Sequence, residues 1–300
     1  MASSVWNKSR IIHTWLPMVL LLGIGIVFRG HGNRLFYFPS KVRYCTPGDM
    51  GLSYEAFTFP SKDGTMLSGW FVPAEDQDAK GTVIHYHGNA ENMTTHFLFV
   101  HWLPSQGFNL VVFDYRGYGE SQGVPSRRGT VEDGQSIIEH VQGMETVDPD
   151  RILLLGQSLG GAIALAAVGE ARNHDVKAIA VDSTFISYRG VARDIYGRIP
   201  LLGWITWPCI SWLVTEDHSP GLSLKHLKGI PLLIFHGDQD RVVPIQQGRK
   251  LYAACPEPKR YIEVKGGHHT DALARPEHMK DLVDFFERAL HGLPLNEETR

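Results

Sequence analysis

Cysteine is scarce in this sequence. Cys45, Cys209 and Cys255 are the only three in 300 residues, and they lie far apart. An odd count without close spacing argues against a disulfide framework and against a thiolate zinc site, and leaves unpaired structural thiols. No block of lysine or arginine occurs and the net charge is −3, so the charge balance gives no sign of nucleic acid as a partner. Internal repeats and low-complexity tracts are absent too, which excludes a solenoid array and a biased, unstructured chain. What is left is ordinary globular composition, 43% hydrophobic and 20% charged. The length suits one large α/β domain or two small ones, with ample core.

One long apolar run is present, Ile11 to Phe28, IIHTWLPMVLLLGIGIVF. Lys8 and Arg10 precede it and Arg29 follows. At helical rise it sits near the lower limit for crossing a bilayer, and His13 and Pro17 weaken its first turn. A basic start and an apolar middle also fit a cleaved signal peptide, but no small-x-small cleavage site follows IVFRGHG. The expectation is an uncleaved, single-pass N-terminal anchor and tether over residues 1–35, with a cleaved signal or a buried helix as alternatives. Arg29, Arg34, Lys41 and Arg43 outnumber Lys8 and Arg10, a weak pointer to a cytoplasmic C-terminal side that leaves the topology open. The aromatic stretch Asn33 to Ser40, NRLFYFPS, fits either the headgroup level or a tether packed on the domain.

Beyond residue 36, strands alternate with helices. Tyr54–Phe59 and Leu67–Val72 flank the turn signal Asp63-Gly64 and read as a hairpin. Further strands are expected at Thr82–Tyr86, Leu110–Phe113, Ile152–Leu155, Ala178–Val181, Leu232–Phe235 and Tyr261–Val264. Helices are expected over Gly129–Gly143 and Met279–Leu290. The later strands are nearly all apolar, as in a parallel sheet covered by helices on both faces. From Phe185 to Gly229 no strand is apparent, and the run IPLLGWITWPCISWLV carries Trp204, Trp207 and Trp212. An insertion of that kind reads as a helical cap over an apolar cleft, or as plain helices on the sheet edge.

LLLGQSLGGA, residues 153 to 162, joins a strand to a helix through Gly156-Gln157-Ser158-Leu159-Gly160. The G-x-S-x-G spacing suits a serine on a sharp turn at the C-terminal edge of a sheet, where side chains at the flanking positions would collide. The amide of Leu159, at the helix start, then faces a developing oxyanion. Such a serine needs a histidine base and a carboxylate to orient it, in the chain order Ser, Asp or Glu, His. Gly237-Asp238-Gln239-Asp240 follows one later strand and Gly266-Gly267-His268-His269-Thr270-Asp271 the next. Both loops lie beyond a strand's C-terminal end, where α/β sheets place their ligands. On spacing alone either aspartate and either histidine qualifies.

The stretches DGTMLSGWFVP, HYHGNAENM, FDYRGYGES, GQSLGG, DSTF, HGDQDRVVP and HHTDA occur in an order that resembles the α/β-hydrolase superfamily. More narrowly, the chain is similar to the membrane-anchored, Bem46-like serine hydrolases. The resemblance covers most of the sequence from Phe36 onward. It implies an α/β-hydrolase fold over residues 36–300, a mostly parallel eight-stranded sheet with helices on both faces, and the helical cap at about 185–229. It assigns the acid to Asp240 and the base to His269, leaving Asp238 as a loop-capping carboxylate and His268 as an extra neighbour. It places the second oxyanion amide at Asn89 or Ala90, in His87-Gly88-Asn89-Ala90 after the third strand. Asp114-Tyr115-Arg116-Gly117-Tyr118-Gly119 matches a structural loop in which Arg116 pairs with Asp114 or a nearby carboxylate. His85 and His87 alternate on one strand face without a third ligand at suitable spacing, so no metal is implied, and no cofactor is needed. Asn92-Met93-Thr94 and Asn7-Lys8-Ser9 match glycosylation sequons, relevant only in a eukaryotic secretory setting.

The expected chemistry is acyl transfer to Ser158 followed by hydrolysis. The anchor and the aromatic insertion favour a small-molecule acyl ester, thioester or lipid as substrate. A peptidase of the same fold is the alternative enzyme, and a silent, membrane-tethered binding module the alternative from another class.

Overall fold

In the computed structural model, residues 31–76, 78–172, 175–196 and 213–295 are described. The run Ile11–Phe28 lies outside them, and no helix among the described residues is long and apolar enough to cross a membrane.

Strands β1 (Phe38–Pro39), β2 (Glu55–Pro60), β3 (Met66–Val72), β4 (Gly81–Tyr86), β5 (Ala90–Glu91) and β6 (Phe108–Phe113) come first. They are followed by β7 (Ile152–Gln157), β8 (Val176–Asp182), β9 (Leu232–Gly237) and β10 (Lys259–Val264). Eight of them form one sheet in the order β10-β9-β8-β7-β4-β6-β3-β2. The β2–β3 and β3–β6 pairs are antiparallel; every other pair is parallel. This is the mostly parallel, eight-stranded sheet expected from the sequence. β1 and β5 make a separate parallel pair.

The inner strands β3, β4, β6, β7, β8 and β9 are buried at nearly every position because both faces are covered, and alternate side chains enter opposite cores, while the edge strands β2 and β10 stay partly exposed. Ile84, Tyr86, Ile152, Leu154, Ile179, Val181 and Ile234 enter one core. Helices α2 (Arg127–Gln142), α3 (Leu159–Ala171) and α4 (Tyr188–Tyr196) supply its other wall through Ile137, Val141, Ile163, Leu165 and Tyr188. Val83, Leu153, Leu155, Ala178, Ala180, Leu233 and Phe235 enter the other core. There they meet Met93 of α1 (Met93–His96) and Leu282, Phe285 and Phe286 of α6 (Pro276–Leu290). Helix α5 (Ile245–Ala254) packs through Leu251 on the first side.

The hairpin forms as expected, with Gly64 at φ +84° and the Thr65 amide donating to the Asp63 carboxylate at 3.0 Å. Helix α2 begins two residues before the expected Gly129, because the Ser126 hydroxyl caps it by accepting the Gly129 amide at 3.1 Å. Of the expected cap, the flanks are described. They form α4 and the short 3-10 turns Pro220–Leu222 and Leu224–Leu227, which pack on α3. Residues 197–212, with all three tryptophans, lie outside the described residues.

The aromatic tether packs on the domain, the second of its two expected placements. A 3-10 helix, His31–Phe36, leads into β1. Tyr37 is buried, its hydroxyl 3.2 Å from that of Thr130, and Phe36 meets the Tyr188 ring edge-on at 5.0 Å. Arg127 lies over the Tyr188 ring at 3.8 Å and donates to Asn33 Oδ1 at 2.7 Å. Leu35 and Phe38 stay 61% and 56% exposed, so the adjacent pair Phe36 and Tyr37 carries the tether's contact with the core.

Candidate active site

The turn between β7 and α3 holds Ser158 at φ 53°, ψ −117°, outside the regions that L-residues prefer. Close packing enforces it. A Cβ on Gly156 would lie 2.5 Å from Gly161 Cα, and one on Gly160 would strike the carbonyls of Tyr86 and His87. The Ser158 amide donates to the Asp182 carbonyl at 2.8 Å, and the Thr184 hydroxyl donates to the Ser158 carbonyl at 2.7 Å. The serine is 7% exposed, with its hydroxyl at the carboxyl edge of the sheet.

Ser158, Asp240 and His269 come together, each from a loop beyond a parallel strand. His269 Nδ1–H donates to Asp240 Oδ2 at 2.8 Å. An ionised carboxylate only accepts, so that bond fixes the proton on Nδ1 and leaves Nε2 as an acceptor. Ser158 Oγ lies 2.9 Å from Nε2 and donates to it. The other Asp240 oxygen accepts the amides of Val242 and Val243 at 2.8 and 2.9 Å. Burial pushes the Asp240 carboxyl up, but the hydrogen bond and charge of His269 and these two amides outweigh it, holding Asp240 below the usual carboxylate range.

Asp238 and His268 stand apart. Asp238 Oδ1 is buried without a hydrogen-bond partner among the described residues. His268 is exposed, and its backbone amide donates to Asp271 at 3.0 Å.

Leu159 opens α3, so its amide has no intrahelical acceptor. Asn89 and Ala90 follow β4 and meet β1: Phe38 N–H donates to the Asn89 carbonyl at 2.9 Å, and the Tyr118 hydroxyl donates to the same oxygen at 2.8 Å. His96 Nε2–H donates to the Ala90 carbonyl at 3.1 Å. His85 and His87 go to different partners. His85 Nε2 meets Gln157 Oε1 at 3.1 Å, while His87 Nδ1–H donates to the Gly88 carbonyl at 2.7 Å. Burial holds His85 well below its ordinary value, so it stays neutral.

Arg116 does not pair with Asp114, the first partner expected for it. It forks onto Asp133 at 2.8 and 3.1 Å and reaches Asp63 in the hairpin turn at 2.7 Å. Asp114 instead accepts the Met93 amide at 2.7 Å. Asn92 is also internal: its side-chain amide donates to the carbonyls of Ser40 and Val42, and its oxygen accepts from Thr94. The sequon there is therefore not a surface feature of the folded chain.

Three supporting groups escaped the sequence reading. His236 lies 3.6 Å from Asp240 and donates to the Val243 carbonyl at 2.8 Å, bracing the acid loop from below. The Ser183 hydroxyl donates to Asp182 at 2.9 Å and accepts the Thr270 amide at 3.0 Å. Burial pushes the Asp182 carboxyl up to about 7, against the pull of Ser183 and His269. The signal for His236 was its spacing of four from Asp240 across a strand end; for Asp182 and Ser183 it was the motif DSTF alone.

Residues 77–226 match the family described as serine aminopeptidase, S33. YfhR of Salmonella typhimurium, an uncharacterized protein, is 41% identical over 281 residues, covering 89% of this chain and 91% of that one. Protein bem46 of Schizosaccharomyces pombe is 27% identical, with 95% of each chain covered. The chain belongs to the Bem46-like α/β hydrolases. A further relative in this family is an uncharacterized membrane protein of Saccharomyces cerevisiae, YNL320W, 29% identical over 94% of this chain and 97% of its own. Solved α/β hydrolases share the fold at low identity. The Pyrococcus furiosus esterase Pf2001 superposes with a TM-score of 0.64 at 20% identity, covering 84% of this chain and 96% of its own. A puromycin-hydrolyzing peptidase of Mycobacterium tuberculosis gives 0.64 at 18% identity, covering 80% of this chain and 39% of its own.

Proposed function

We propose that this α/β hydrolase cleaves a carboxylic ester or thioester, with a lipid-like acyl group favoured, through Ser158, His269 and Asp240. The observation that carries the reading is the continuous hydrogen-bond chain from Ser158 Oγ through His269 to Asp240. Ser158 Oγ attacks the acyl carbon as its proton passes to His269 Nε2. The imidazolium is stabilised by Asp240, which stays ionised. The oxyanion is held by the amide of Leu159 and by an amide from Asn89 or Ala90. His269 returns the proton to the leaving alcohol or thiol, and water then releases the acid from the acyl-enzyme.

An aminoacyl amide is the second substrate class, favoured by the serine aminopeptidase description of the matching family. In either case the proposed N-terminal anchor at Ile11–Phe28 holds the domain of residues 36–300 at a membrane, a reading supported by the naming of the yeast relative as a membrane protein. Release of the full-length chain by alkaline carbonate would overturn the anchor.

Covalent labelling with a fluorophosphonate tests the enzyme itself. Labelling mapped to Ser158, and lost in Ser158→Ala, is the expected result; a folded chain that takes no label is a binding module instead. Matched acyl esters and aminoacyl amides then separate the two substrate classes.

A further inference from the structure

Residues 33–40 precede the sheet, yet they are built into the loop beside Ser158. Phe38 N–H donates to the Asn89 carbonyl and Ser40 N–H to the Glu91 carbonyl, both at 2.9 Å. These bonds make the β1–β5 ladder. The Asn89 carbonyl has a second donor in the Tyr118 hydroxyl. Glu91 sits at φ 61°, a strained conformation that the Ser40 bond holds in place. The far side of β1 is fixed as well: the Ser40 carbonyl accepts the Gly119 amide at 2.9 Å and the Asn92 side chain at 3.0 Å. Asn33, Phe36 and Tyr37 lock the preceding turn onto Arg127, Tyr188 and Thr130.

The position of the clamp matters. The Asn89 carbonyl lies between the two candidate oxyanion amides. It belongs to the same residue as the Asn89 N–H, and it shares a planar peptide unit with the Ala90 N–H. Two donors on that oxygen therefore fix the peptide plane that carries the Ala90 amide, while the Asn89 amide, on the preceding plane, is constrained only through the Asn89 backbone dihedrals. An oxyanion hole works only when its donors are aimed before charge develops, since reorientation during the reaction forfeits the gain.

We propose that the N-terminal strand β1 is a positioning element for the oxyanion loop, acting through the Phe38 amide and assisted by the Tyr118 hydroxyl. This rests on the hydrolase reading above. The segment that joins the domain to residues 1–30 thus sets part of the catalytic rate. A change in how that segment is held reaches the transition state through two hydrogen bonds.

The test uses the full-length chain and a soluble activated ester. Phe38→Pro deletes the donor N–H, and Phe38→Ala restores it while losing only a largely exposed ring. Tyr118→Phe removes the second donor and keeps the buried ring. Phe38→Pro and Tyr118→Phe are each expected to lower kcat roughly tenfold or more with KM little changed, the mark of an interaction made in the transition state. Phe38→Ala is expected to recover most of the rate, and the pH profile to keep its shape in all three. If kcat is unchanged in Tyr118→Phe and in folded Phe38→Pro, the proposal fails. It also fails if KM rises in step with any loss. Should Phe38→Pro not fold, Tyr118→Phe decides alone. An unaltered chain that neither labels at Ser158 nor turns over ester sinks the hydrolase reading, and this proposal with it.

Discussion

Asp182 holds Ser158 by the backbone: its carbonyl accepts the serine amide at 2.8 Å. Its carboxyl is buried at the end of β8, between the strand that leads to Ser158 and the strand that leads to Asp240. Through Ser183 the same residue reaches the Thr270 amide, next to His269. One dipeptide thus ties the nucleophile turn to the base loop.

That buried carboxyl makes stability depend on pH. An unfolded chain releases the proton near 3.8, the folded chain near 7. Between those values the folded state binds more protons, so this group's contribution favours folding at low pH and is lost as pH rises toward 7. Asp182→Asn removes the titration. Denaturant midpoints across the window should show the variant gaining on the parent as pH rises. A difference that stays flat would contradict the assignment.

His269 and His268 should separate cleanly. His269→Ala is expected to lower kcat by roughly 10⁴-fold or more, as loss of the base does where serine and histidine act as a unit. His268→Ala should leave kcat near the parent value, since its ring is exposed and only its backbone amide is engaged. Steady-state kinetics on one ester decide it, and the reverse ranking would overturn the pairing.

For the acid, Asp240→Asn should cost about 10⁴-fold in kcat by allowing the wrong tautomer of His269. Asp238→Asn should cost far less, because Asp238 makes no bond to the histidine. Equal losses in the two variants would mean that the acid loop rearranges during turnover.

Arg116 carries a stability prediction. Asp133 is fully buried, and burial keeps its carboxyl above the usual range even beside the guanidinium. Removing the partner in Arg116→Ala strands that charge and should destabilise the fold by about 3–5 kcal/mol. The folded fraction should still label at Ser158. A denaturant melt showing little change would argue that Asp133 is neutral in the native state.

Much of the site was legible because its logic is local. A polar corner flanked by glycines after Leu153–Leu155 marks a strand-to-helix turn wherever it occurs, and Asp240 and His269 each lie in the loop that follows a strand, β9 and β10. Strands β7 and β8 ran past their expected carboxyl ends to Gln157 and Asp182, because those polar residues still pair in the sheet, and β6 and β10 began two residues earlier than read. Choosing Asp240 over Asp238 took family resemblance, since spacing alone allows both. The partners of Arg116 were not legible: Asp63 lies in a hairpin turn and Asp133 on a helix, and only the fold brings them together. Nor was the β1–β5 pair, two residues long and without a periodic signature.

Two glycines packed against Tyr86 differ in what presses on them. At Gly134 the nearest obstruction is the Tyr86 ring, 2.9 Å from where a Cβ would sit, and then the side chains of Ile163 and Ala167. At Gly160 the obstruction is main chain, the carbonyls of Tyr86 and His87. A lineage that acquires alanine at 134 can recover by trimming a neighbour, so that position can drift together with 86. Position 160 has no such exit: every amino acid carries the same carbonyl, and no second-site change of side chain can make room.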